Sequence, residues 1–116
     1  MDLFERHWDT YRRVVDNDWM EHRGLTEACK TALQSWIAAH AERDGQVRLA
    51  DLGCGDLGLM APVFRALPLG TYIGVDLTEQ VLPLARAALA SAPFDTQFRC
   101  QDVTAFVESP DADFDL

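Results

Sequence analysis

Asp51, Asp76 and Asp102 recur at near-equal intervals, each at or just beyond the end of a short apolar or alternating run. A carboxylate has two acceptor oxygens, which suits a vicinal diol such as a ribose 2′,3′-pair, and it can equally accept from an exocyclic amine. Gly53 and Gly55 follow the first of them in the run Asp51-Leu52-Gly53-Cys54-Gly55. A side chain at either glycine would hold the backbone away from a ligand lying over the turn, and glycine also allows positive φ. Together these groups can read a sugar at Asp76 and a base at Asp102, leaving the glycine turn for the remainder of the ligand.

Such a constellation needs strands that end side by side. Val47 to Leu52 is a short, mostly apolar run closed by glycines, and it predicts a strand feeding a tight turn. Thr71 to Val75 predicts a second strand leading to Asp76, and alternating Thr96, Phe98 and Cys100 a third ending at Asp102. Between the first two, Leu59, Met60, Val63, Phe64 and Leu67 keep helical spacing, and Pro62 requires that this helix start close by. In the second interval Thr78 is a candidate cap, with Val81, Ala85, Ala88 and Leu89 inward. Pro83 lies deep for that start, so the helix is expected to begin late or to kink. This order gives parallel βαβ units with right-handed crossovers, and in such folds ligands bind beyond the carboxyl ends of the strands.

Two helical stretches precede the first strand. Phe4, Trp8, Tyr11 and Val15 form one apolar stripe, with Asp2 and Glu5 at capping-box spacing. Leu25, Ala28, Cys29, Ala32, Leu33, Trp36 and Ile37 form a stronger one that closes near Asp44-Gly45. At the other end, Asp113-Phe114-Asp115-Leu116 looks like the approach to another strand. A three-stranded sheet leaves its first strand with an unpaired apolar edge that invites pairing with another chain. The expectation is a domain cut short before its fourth strand, with self-association through that edge as one consequence.

The 116 residues suit one domain, and 48% hydrophobic against 25% charged residues suits a packed core. With a net charge of −9, the chain lacks the basic stripe that phosphate backbones demand, so no nucleic-acid partner is expected. Cys29, Cys54 and Cys100 form no C-x-x-C pair, which predicts free thiols. His7, His22 and His40 have no ligand spacing, so no metal is expected and they read as surface residues. The sequence shows neither a basic stretch leading into an apolar run near Met1 nor a membrane-length apolar segment, and a cytoplasmic protein without membrane association is expected.

The three strand ends resemble class I S-adenosylmethionine-dependent methyltransferases. Leu49-Ala50-Asp51-Leu52-Gly53-Cys54-Gly55 looks like their first motif, Tyr72-Ile73-Gly74-Val75-Asp76-Leu77 like the second-strand motif, and Phe98-Arg99-Cys100-Gln101-Asp102-Val103 like the third. The resemblance spans roughly residues 25 to 116 and implies an α/β, Rossmann-like methyltransferase fold with N-terminal helices. It implies that S-adenosylmethionine is the cofactor. Asp51 would help fix its methionine end, and Gly53, Cys54 and Gly55 would give backbone contact to methionine and ribose. Asp76 would take the ribose hydroxyls and Leu77 would pack on adenine. Asp102 would accept from the adenine amine, and the Val103 N–H would meet a ring nitrogen. Many relatives carry a third glycine two residues after the second, where this chain has Leu57 and then Gly58.

The division implied is 1–45 for N-terminal helices, a lid or substrate region, and 46–116 for a cofactor-binding βαβαβ half-domain. Tyr11, Trp19 and Arg23 are lid candidates. The plainer reading makes Trp8 and Tyr11 packing residues and leaves Arg23 solvated. The function expected is methyl transfer to an acceptor that is a small molecule rather than DNA or RNA, with no catalytic residue assigned. Two alternatives stay open. Gly53-Cys54-Gly55-Asp56-Leu57-Gly58 formally fits G-x-G-x-x-G, and Asp76 is well placed for a nicotinamide dinucleotide ribose. Against this, Asp51 and Asp56 put negative charge where a pyrophosphate would lie and where a sulfonium would be welcome. The other alternative is a non-catalytic cofactor-binding fragment.

Overall fold

A computed structural model describes residues 7–110 and 112–116. The expected start of the first helix, at Asp2, Phe4 and Glu5, lies outside the described residues. Three parallel strands, β1 (Val47–Leu52), β2 (Leu69–Asp76) and β3 (Asp95–Cys100), form an open sheet in the order β1-β2-β3. Helices α1 (Trp8–Asp16) and α2 (His22–Ala39) precede the sheet. Helix α3 (Ala61–Arg65) and α4 (Leu82–Ala88) make the two crossovers, and α5 (Val103–Glu108) follows β3. The architecture is the Rossmann-like α/β fold expected.

The sheet is buried on both faces around β2, the central strand among those described. Val47, Leu49, Tyr72 and Leu69 pack with Ile37, Phe64, Ala85 and Leu89 from α2, α3 and the end of α4. On the other face Ile73 and Val75 meet Phe106 of α5. This two-sided burial explains why β2 reads as a nearly continuous apolar run. Pro62 and Pro83 each fall in the first two positions of their helices, where a missing N–H costs nothing. The second helix does begin late: Glu79–Val81 is a short 3₁₀ turn and α4 starts at Leu82.

Several expectations need correction. Thr78 makes no side-chain cap; its N–H instead donates to Asp76 Oδ1 at 2.8 Å. β3 stops at Cys100, and Asp102 begins α5 as its N-cap, accepting from the Ala105 N–H at 3.0 Å. Helix α2 ends at Ala39, before a 3₁₀ turn over Ala41–Arg43 and the positive-φ Gly45. Only the C-terminal part of its apolar stripe, Leu33, Trp36 and Ile37, packs on the core. The edge of β1 is also not bare. Asp115 and Leu116 N–H groups donate to Arg48 O, and Ala50 N–H donates to Leu116 O, the pattern of a parallel neighbour. Arg43 pairs with the Asp115 carboxylate at 2.6 Å and Arg48 Nε donates to Asp113 O at 2.8 Å, which holds this segment alongside β1.

Among the described residues no helix is long and apolar enough to cross a membrane.

Candidate cofactor and acceptor cavity

The carboxyl ends of the strands open into a cavity of about 650 Å³. Its floor is the turn after β1. The N–H groups of Gly53 and Cys54 both donate to Val75 O, at 2.7 and 3.1 Å, pinning the turn to the end of β2. Gly53 and Gly55 take positive φ, and a Cβ on Gly53 would meet nothing within 4 Å, so its backbone is open to a ligand. Asp76 closes the arrangement. Its Oδ2 accepts from Gly55 N–H and its Oδ1 from Thr78 N–H, each at 2.8 Å. The same carboxylate therefore shapes the turn and, through its remaining lone pairs, can still accept from a ligand.

Leu57 resolves the departure from the expected glycine pattern. It has φ of +61°, the left-handed conformation in which glycine is at ease, yet its side chain is 3% exposed and belongs to the core. The turn keeps the backbone shape and gains a buried leucine at the cost of local strain.

Beneath the turn lies a buried polar pair. Alternation along parallel strands puts Asp51 and Tyr72 on the same face, and the Tyr72 hydroxyl donates to Asp51 Oδ2 at 2.7 Å. Burial pushes the Asp51 carboxyl above its usual range; the Tyr72 hydrogen bond opposes that rise and the nearby Asp76 charge adds to it. Burial, followed by the Asp51 charge, likewise raises the Tyr72 hydroxyl. Burial, then Asp51 and Asp76, push the Cys54 thiol up to about 12, which keeps it neutral and unreactive near neutral pH.

Helices α1 and α2 form the roof. The Trp8 ring lies 3.3 Å from where a Gly55 Cβ would stand. One turn further along α1, Arg12 pairs with Asp56 at 2.7 Å, its guanidinium occupying the space that a side chain on Gly58 would need. Gly58 is thus a close-approach position, and α1 is fastened across the turn at two points. Leu25, Thr26 and Cys29 of α2 also line the cavity, so the N-terminal part of its apolar stripe is cavity wall.

The fold gathers all eight expected cofactor residues, Asp51, Gly53, Cys54, Gly55, Asp76, Leu77, Asp102 and Val103, around this one cavity. Tyr11 lines it as well. Trp19 and Arg23 do not: Trp19 is 64% exposed, and Arg23 is turned back to Asp16 O. Sequence reasoning missed Arg12, Tyr72 and His22, and it gave Trp8 a packing role only. Arg12 follows Trp8 by one helical turn, a spacing that could have placed both on one face. Tyr72 had a signal too, since period two sets it on the Asp51 face.

A methyltransferase-domain family model matches residues 49–116. The chain belongs to the methyltransferase domain family. The comparisons with curated proteins and with solved structures returned no match. In this methyltransferase the matched segment begins inside β1 and carries the glycine turn, Asp51 and Asp76 at the ends of their strands, and Asp102 at the start of α5. The roof helices α1 and α2 lie outside it.

Proposed function

We propose that this methyltransferase uses S-adenosylmethionine and methylates a small-molecule acceptor. The observation that carries the reading is the convergence of Asp51 and Asp76, from the ends of their strands, and Asp102, from the start of α5, with the open Gly53–Gly55 backbone on one cavity. The residues fit the cofactor. Its ribose diol matches Asp76, its adenine matches Leu77, Asp102 and the Val103 N–H, and its cationic methionine end matches the acidic floor at Asp51. Asp102 spends one oxygen on the α5 cap, and a carboxylate has a second to offer.

When bound, the cofactor supplies an electrophilic sulfonium methyl that is displaced in line. The work left to the chain is alignment and exclusion of water. The turn fixes one partner from below, and α1, clipped at Trp8–Gly55 and Arg12–Asp56, covers it from above. An acidic cavity under a hydrophobic roof suits a small neutral molecule better than a polyanion, in keeping with the net charge of −9.

Thermal unfolding with added ligand tests the reading. S-adenosylmethionine or its demethylated product is expected to raise the melting temperature in a concentration-dependent way, and NAD is not. Stabilisation by NAD alone would overturn it in favour of a dinucleotide enzyme.

A further inference from the structure

The sheet register brings a buried tyrosine hydroxyl to the carboxylate at the end of β1. Asp51 stands beside Gly74 of β2, and Tyr72 lies two residues earlier on the same face. A Cβ on Gly74 would stand 3.1 Å from Tyr72 Cε1 and from Cys54 Sγ, and 3.0 Å from Phe98 Cδ1. The bare glycine therefore leaves the gap through which Tyr72 reaches Asp51 Oδ2 at 2.7 Å. Phe64 and Phe98 pack on the tyrosine ring, at 5.0 and 5.8 Å between centroids, and hold it in that direction.

The two partners differ in what they can reach. Asp51 is half-buried and lines the cavity, whereas Tyr72 is fully buried and is not among its lining residues. Burial raises the Tyr72 hydroxyl, so it stays protonated and donates. One carboxylate oxygen is thus engaged from behind. The other takes no hydrogen bond from a described residue.

The surrounding charges give this bond its weight. Tyr72 and Asp76 of β2 and Cys54 of the turn are the titratable groups that face Asp51. Asp76 opposes a second negative charge, and the Cys54 thiol stays neutral. Asp102 lines the cavity from α5; in the roof Arg12 is paired with Asp56, and His22 and Cys29 line α2. A hydrogen bond donated to a carboxylate favours its charged form, and Tyr72 makes that bond.

We propose that Tyr72 is a positioning residue of the cofactor site, its hydroxyl holding Asp51 ionised and turned so that the second oxygen meets the cationic methionine end of S-adenosylmethionine. The assignment rests on the cofactor reading above. Cofactor affinity is then full above the pH at which Asp51 ionises in the folded protein, and falls as pH drops through it. Tyr72→Phe keeps the packed ring and removes the donor, so that pH should rise.

The test pairs NMR with calorimetry across the pH range in which the protein stays folded. The ¹³C signal of the Asp51 carboxyl, identified by its loss in Asp51→Asn, gives the ionisation midpoint. It is expected about one pH unit higher in Tyr72→Phe, the tenfold scale of a hydrogen bond to a charged group. The affinity for the demethylated cofactor should fall at the same midpoint in each protein. The unaltered protein supplies a check that needs no variant. Its two tyrosines give two Cζ signals, and that of Tyr72 should move together with the Asp51 carboxyl.

Equal carboxyl midpoints in the two proteins overturn the proposal, as does a Tyr72 Cζ signal that ignores the Asp51 titration. So does an affinity weakened equally at every pH, since that is the mark of lost packing alone. If the demethylated cofactor binds neither protein while the carboxyl midpoint moves, the cofactor reading falls and the control of Asp51 by Tyr72 stands.

Discussion

Burial lifts the Asp51 carboxyl above the ordinary carboxylate range, while the Tyr72 hydroxyl and the Asp76 charge adjust it in opposite senses. Folding therefore favours the protonated form of this group. Its contribution to stability is full below the unfolded value, about 4 for an aspartate, and is lost as pH rises through the raised folded value. As pH rises above the unfolded value, burial of this carboxyl becomes a cost that the site carries. Asp51→Asn, which can still accept from Tyr72, is expected to raise the melting temperature at about pH 7 by roughly a few degrees, the scale of such site substitutions in a small domain. The gain should fade as pH falls toward about 4. Melting curves at several pH values check this; an Asn variant less stable at neutral pH would contradict it. Asp51 and Asp76 were legible because strand ends follow from residue pattern, whereas Asp102, read as the end of β3, lies beyond it and caps α5. Alternation places Tyr72 on the Asp51 face, but its hydrogen bond to Asp51, like the place of His22 in the cavity wall, depends on which side chains the tertiary fold sets opposite.

At the scale of elements, the turn after β1 and helix α1 shape the cavity. Leu57 combines positive φ with near-complete burial, so its substitutions separate strain from packing. Leu57→Ala loses the buried side chain and keeps the strain, at about 2–5 kcal/mol. Leu57→Gly loses the same packing but relieves the strain, and is expected to be more stable than the Ala variant by about 1 kcal/mol. In an ordinary position glycine is the worse of the two. Urea unfolding of both variants decides; Ala outranking Gly would show that the turn has another shape. Periodicity made β1 legible to the residue, and the two prolines correctly marked helix starts. Caps were read less well. Thr78 and Asp102 both sit where a chain leaves a strand, and which of them caps depends on a local hydrogen bond that residue type does not determine. The α2 stripe misled for a related reason: an apolar helix face looks the same whether it meets a core or walls a cavity.

For the molecule as a whole, a sheet covered on both faces around β2 fixes the three strand ends at one level, and the N-terminal helices bend back over them. This puts a rigid acidic floor beneath an aromatic roof. The floor lies in the segment matched by the methyltransferase family and the roof outside it. The parallel sheet and its open ends were legible from the alternation of apolar runs and helices. The closure of the roof was not, since Trp8 over Gly55 and Arg12 on Asp56 join residues far apart in sequence. Calorimetric titration of S-adenosylhomocysteine, the demethylated cofactor, into the unaltered protein and Asp76→Ala tests the central claim most directly. One site is expected in the former, with affinity at least about tenfold weaker in the variant because a ribose hydroxyl loses a charged acceptor. Equal affinity in the two proteins, or no binding to either, would contradict the account.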